Sequence, residues 1–183
     1  MVFRRRSEAN ARYYLMKVAA NARAASVKLE RKAMSLISRS KIYMEMMSFY
    51  KRQGASDIVS HISKDFDRVR IAAEKLLWLS RVLEWIALRA ETLAIAGLAY
   101  HNVFKIIDVL KEVKRDIVCK IPEISIMISE IEEPLEKACS YILPDIGDEV
   151  NPFVPSKEAL DILREAEEVA KNKLRESMKL VKV

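Results

Sequence analysis

The chain has 183 residues, 51% of them hydrophobic and 32% charged, with only three Gly and five Pro. That size bounds one domain, or one domain with an appendage, and so few turn residues exclude sheet-rich folds in favour of long helices. The net charge of +6 is graded, +10 over residues 1–53, +1 over 54–119 and −5 over 120–183, and a dedicated nucleic-acid binder has no need of such an acidic rear.

No apolar run reaches the ~18 residues of a membrane span. The opening MVFRRR has no apolar stretch after it, so no signal peptide is expected. The expected setting is intracellular, either soluble or against a membrane surface. Cys119 and Cys139 are too few for a disulfide framework or a zinc site. They read as small buried hydrophobes in a reducing compartment.

In chain order, residues 1–6 form a basic N-terminal segment holding Arg4, Arg5 and Arg6. A helical core follows over 7–142, with helices over about 7–53, 57–96, 98–119 and 123–142. In the first, Leu15, Val18, Ala22, Ala25, Leu29, Ala33, Leu36, Tyr43, Met47 and Tyr50 recur every three or four residues, broken near Ser40. They form one stripe of a helix ~70 Å long. Ala22, Ala25 and Ala33 would let a partner helix approach closely.

QGASD, residues 53–57, places Gly54 at a helix C′ position and Ser56 or Asp57 at an N-cap. A connection this short between long amphipathic helices predicts an antiparallel hairpin. In the second helix Ile62, Phe66, Val69, Ala73, Leu76 and Leu83 should face the first. Trp78, Val82 and Trp85 form a second, rotated stripe, which needs later helices of the chain or a neighbouring subunit to cover it.

Gly97 marks a break, and Val103, Ile106, Ile107, Leu110, Val113 and Ile117 pattern the third helix. Pro122-Glu123 suits the start of a fourth, with Ile124, Ile128, Ile131 and Leu135 apolar. Pro134 inside it predicts a kink or an early stop. Residues 143–156 hold three of the five prolines and read as a linker. Ser156 should cap a final regulatory helix over 157–183, with Leu160, Leu163, Val169 or Ala170, and Leu174 apolar.

No catalytic machinery is apparent. Three scattered glycines cannot build a phosphate loop or a dinucleotide fingerprint. Neither His61 nor His101 has a Glu three residues before it, as a di-iron bundle requires. Glu130, Glu132, Glu133 and Glu136 read as a solvated acidic face. No enzyme activity, metal or cofactor is expected.

Three blocks carry a resemblance: AAEKLLWLSRVLEWIALRAETL (72–93), VFKIIDVLKEVKRDI (103–117) and PEISIMISEIEEPLE (122–136). Together, over roughly Val27 to Glu136, the chain resembles the archaeal ESCRT-III proteins called CdvB, relatives of the Snf-type and charged multivesicular body proteins. Leu88-Arg89-Ala90-Glu91-Thr92 stands where that family has Leu-Arg-Leu-Glu-Thr, and Pro122-Glu123 where its fourth helix opens. The resemblance implies an all-α fold: a long antiparallel helical hairpin, shorter helices packed at its open end, and a tethered C-terminal helix. The chain's end at Val183 leaves no room for the winged-helix module of the longest members, which suggests a short paralogue.

The function implied is a membrane-remodelling polymer in archaeal cell division (cytokinetic abscission) or vesicle budding. It would be autoinhibited by its acidic tail and recycled by a AAA+ ATPase, and would sit in the cytoplasm on the inner face of the cell membrane at the division site. The implied partners are an anionic membrane surface, further copies of itself and its paralogues, and the MIT domain of the ATPase.

On this reading the basic front meets lipid headgroups through Arg4, Arg5, Arg6, Arg12, Lys17, Arg23, Lys28, Arg31 and Lys32, with Phe3 beside Val2 as an apolar wedge. The acidic tail would cover part of this face when docked. Asn151-Pro152-Phe153-Val154-Pro155 resembles the family's proline-rich MIT-binding motif, Leu-Pro-x-Val-Pro, and assigns MIT contact to Pro152, Val154 and Pro155, with Asn151 replacing the leading aliphatic residue. Leu174, Met178, Val181 and Lys182 partly match its helical motif. Trp78, Val82 and Trp85 are the candidates for subunit contact or tail docking.

Two other readings compete. A nucleic-acid-binding helical protein would use the same basic face, but needs interleaved aromatics for stacking, and of Tyr13 and Tyr14 only Tyr14 is off the core stripe. A helical scaffold or adaptor would neither bind lipid nor polymerise.

Overall fold

The computed structural model describes residues 2–96, 100–115, 121–142 and 156–179, with residues 2–6, 100 and 101 described by backbone alone. Five helices follow one another: α1 (Val2–Arg52), α2 (Ser56–Ala96), α3 (Tyr100–Val113), α4 (Pro122–Ile142) and α5 (Lys157–Lys179). No strand occurs among the described residues. The fold is all-α.

Neither Gly nor Pro interrupts the first 53 residues, and α1 runs unbroken for 51 residues, ~76 Å at 1.5 Å per residue. Its end is a Schellman turn. Gly54 takes φ of 74°, its N–H donates to the Lys51 carbonyl at 3.2 Å, and the Ala55 N–H donates to the Tyr50 carbonyl at 3.1 Å. The turn returns the chain as α2, antiparallel to α1.

Two compact units are built on these helices, one from Met1–Ser26 with Val82–Glu165, the other from Val27–Arg81 with Ala166–Val183. In the first, α1 contributes Leu15, Val18 and Ala22 to the core, α2 contributes Val82, Leu83 and Ile86, α3 contributes Ile106 and Leu110, and α4 contributes Ile128 and Ile131. The start of α5 adds Ala159, fully buried, after Ser156 caps the helix by accepting the Ala159 N–H at 3.2 Å. Polar contacts tie the same elements. Lys114 pairs with Glu132 at 2.8 Å between α3 and α4, and Lys105 with Glu158 at 2.5 Å between α3 and α5.

Within this unit Pro134 neither stops nor breaks α4, which continues to Ile142. Proline has no N–H for the carbonyl four residues earlier, that of Glu130. The Asn21 side-chain amide of α1 supplies the missing donor at 2.7 Å.

The second unit is narrower. Ala33 and Ile37 of α1, Ala73 and Leu77 of α2, and Ala170 and Leu174 of α5 form its buried cluster. Ser40 continues the buried stripe of α1, its hydroxyl satisfied by donating to the Ile37 carbonyl at 2.6 Å, so the apparent break there is only chemical. Farther along, Tyr43, Met47 and Tyr50 are half-buried.

Candidate functional site

The second unit seats the tail helix. Three alanines, Ala33, Ala73 and Ala170, are each fully buried where α1, α2 and α5 meet. Without side chains beyond Cβ they let the backbones approach. Ile37, Leu77 and Leu174 then fill the layer, and Leu36, Leu76, Trp78 and Met178 pack around it. The buried face of α5 is thus alanine-rich: of Val169 and Ala170, left open by the spacing, Ala170 is buried and Val169 is 44% exposed, and Leu160, expected to be apolar and inward, is 47% exposed. Bulk at those positions is less useful than closeness at the alanines.

Polar contacts orient the docked helix. The Glu30 carboxylate accepts a hydrogen bond from the Lys173 ammonium of α5 and lies 3.6 Å from the Arg81 guanidinium of α2. The Lys173 hydrogen bond is the main cause holding the Glu30 carboxyl below its usual range, with Lys173 and Arg81 charges adding to it against a desolvation penalty. The sign of this contact is the reverse of an acidic tail on a basic front. Here a tail cation meets a front acid.

The basic residues of α1 are found as follows. In the first unit Arg12 and Lys17 are exposed. Arg23, its side chain 54% exposed, pairs with Glu91 at 2.5 Å. Lys17 also lines a cleft of about 360 Å³ with Tyr14, Asn21, Glu133 and Lys137, where Tyr14 stacks on Tyr141 at 5.8 Å. In the second unit Lys28, Arg31 and Lys32 are exposed with α5 seated, and the tail does not bury them. Phe3, Arg4, Arg5 and Arg6 lie on the backbone of α1, their side chains outside the described residues.

The rotated α2 stripe is divided. Trp78 is half-buried against the tail-docking cluster. Val82 is fully buried in the first unit, and Trp85 is half-buried there. Pro152, Val154 and Pro155 lie outside the described residues, as do Val181 and Lys182.

Sequence reasoning missed Glu30, Arg81 and Lys173, because a charge pattern along the chain does not say which cation crosses to which acid. It placed Ala73 on the stripe facing α1 and left Val169 or Ala170 open, but did not single out either alanine as the seat of the tail helix. Among the described residues no helix is long and apolar enough to cross a membrane.

Two long helices joined by a tight turn, followed by three shorter helices, are consistent with an all-α ESCRT-III-like fold. The chain is 27% identical to cell division protein B1 of Sulfolobus acidocaldarius over 161 residues, 82% of this chain and 75% of the relative. It is 32% identical to cell division protein B3 of the same organism over 117 residues, 64% of this chain and 68% of the relative. The chain belongs to the archaeal ESCRT-III family of cell division B (CdvB) proteins, which is structural and non-enzymatic. No family model matches the chain, and no solved structure does.

Proposed function

We propose that this protein is a subunit of a membrane-remodelling polymer in archaeal cell division, assembling with copies of itself and with paralogues on the inner face of the cell membrane. The basic residues of α1, Arg4, Arg5 and Arg6 among them, contact anionic headgroups. α5 is a detachable regulatory helix, and the proline-rich segment around Pro152, Val154 and Pro155 is the handle for the MIT domain of a AAA+ ATPase. The names of the relatives support the division role. The observation that carries the regulatory part is the seating of α5 on α1 and α2 through Ala33, Ala73 and Ala170. Small residues at the closest approach, one layer of larger side chains and the ion pairs of Glu30 make a limited contact, which can form and release.

Co-sedimentation with anionic and neutral vesicles, followed by electron microscopy, tests the reading on the full chain. Ala170→Glu, which forces a charge into the docking cluster, is expected to form filaments on anionic vesicles at lower concentration than the parent. Arg4, Arg5 and Arg6→Glu is expected to bind them more weakly. Retention of DNA by a chain that ignores every vesicle would overturn the proposal in favour of nucleic acid.

A further inference from the structure

In the second unit the contact of α5 with α2 borders an open cleft of about 200 Å³. Arg70 and Glu74 of α2 line one side, and Lys171, Leu174, Arg175 and Met178 of α5 line the other. Leu174, buried, and Met178, half-buried, supply an apolar floor, while Arg70 and Arg175 stand exposed at the rim.

The three cations are not equivalent. Lys171 pairs with Glu167 at 2.5 Å. That hydrogen bond is the main cause holding its ammonium above the usual range; Glu74 adds to the shift, against a desolvation cost and the charge of Arg175. Lys171 is thus satisfied, and it feels Arg175 as a like charge. Neither Arg70 nor Arg175 makes an ion pair among the described residues.

We infer that this cleft is a binding site for a small soluble anion of the diphosphate class, with one phosphoryl group in the guanidinium fork of Arg70 and the other in that of Arg175, and that the bound anion clamps α5 to α2. The ligand class follows from the donors. A guanidinium presents its N–H groups as a planar fork that matches phosphate oxygens two at a time. A carboxylate has two oxygens, enough for one fork, whereas linked phosphoryl groups have enough for both. The apolar floor keeps water from one side of the pairs, which strengthens them. Glu74 sets the size. An anionic bilayer laid over the cleft would press on this carboxylate, while a small anion can bind beside it.

One fork stands on each helix, so undocking of the tail divides the site. A ligand bound only when α5 is docked lowers the undocked population by the factor 1 + [L]/Kd. The clamp rests on the reading of α5 as a detachable helix; the binding of the anion does not.

The test titrates pyrophosphate into the full chain by calorimetry. Arg70→Ala and Arg175→Ala should each weaken binding about tenfold or more, as loss of charge-assisted hydrogen bonds does. Arg70→Lys should not restore it, because an ammonium is a point charge and not a fork. Arg68→Ala, which removes an exposed partner of Asp65, is the control and should bind as the parent does. In Ala170→Leu, whose crowded seat disfavours docking, pyrophosphate at about ten times its Kd should cut the undocked share about tenfold. Trp78, packed on the docking cluster, reports it by fluorescence.

Binding that both alanine variants leave intact places the anion elsewhere on this basic chain and overturns the inference. Binding lost in those variants, with Trp78 unmoved in Ala170→Leu, overturns the clamp. If phosphatidylglycerol vesicles displace pyrophosphate, and the two alanine variants sediment less with those vesicles, the arginines belong to lipid; the inference then falls and the membrane reading stands. A chain that sediments with anionic vesicles but never binds pyrophosphate overturns this inference alone.

Discussion

The side-chain amide of Asn21 on α1 donates to the backbone carbonyl of Glu130 on α4 at 2.7 Å, and Pro134 is the reason that carbonyl needs a donor. Helix α4 therefore tolerates a mid-helix proline through a neighbour. The proline in turn directs α1 to one register against α4.

This relationship predicts a coupled pair. Asn21→Ala should destabilise the chain by about 1 kcal/mol, the net worth of one hydrogen bond. In a Pro134→Ala background, where residue 134 regains its N–H, the same change should matter less. A double-mutant cycle from thermal or urea unfolding should show about 0.5–1 kcal/mol of interaction. Strict additivity would mean that Asn21 does not serve the carbonyl.

Docking of α5 should depend on pH through Glu30. Its carboxyl is held below the usual carboxylate range, first by the Lys173 hydrogen bond. A carboxyl with a depressed folded value contributes stability that is fully present above the unfolded value and lost as pH falls through the folded one. Docking should thus be insensitive to pH at neutrality and loosen below about 4.5. Trp78, packed on the docking cluster, is the natural fluorescence reporter. The Glu30→Gln variant should dock more weakly at pH 7 and lose that acid dependence; an unaltered acid transition in Glu30→Gln would assign it elsewhere.

The alanine seat predicts intolerance of size. Ala170→Leu should disfavour docking by about 1–3 kcal/mol, as overpacking does, and Leu174→Ala should leave a gap worth about 2–5 kcal/mol. Limited proteolysis between α4 and α5 should accelerate in both variants. Substitution at Leu160 or Val169, which are exposed, should leave the rate unchanged.

Cys139 should be a slow thiol. Burial pushes it up to about 11, and Glu136 adds to the shift, so little thiolate exists at neutral pH. In a Cys119→Ser background, alkylation by iodoacetamide should be far slower than that of free glutathione at pH 7.5. It should climb steadily through pH 10. A rate like that of a free thiol at neutral pH would place Cys139 outside the packed interior.

Much of this protein was set by its sequence alone. The absence of Gly and Pro over 53 residues, the 3–4 spacing of Leu15 through Leu29 and the turn at Gly54 determined a long helix and its return, because these are local properties of backbone and period. Ser156 announced the start of α5 for the same reason. What the sequence left open was decided where helices meet. Periodicity ranks a face by its large apolar residues, so it placed Leu160 on the buried face, left Val169 or Ala170 open and passed over Ala166, although helix contact selects the small residues once a partner backbone is close. It read Pro134 as a kink or an early stop, and α4 does not stop there because the donor that rescues Glu130 lies 109 residues away on another helix. It allowed the acidic tail to cover part of the basic front, but could not name Lys173 and Glu30 as a pair that meets there. Net charge along a chain is an average. Docking is settled by the particular cations and acids that geometry brings together, Lys173 and Arg81 with Glu30, and Lys105 with Glu158.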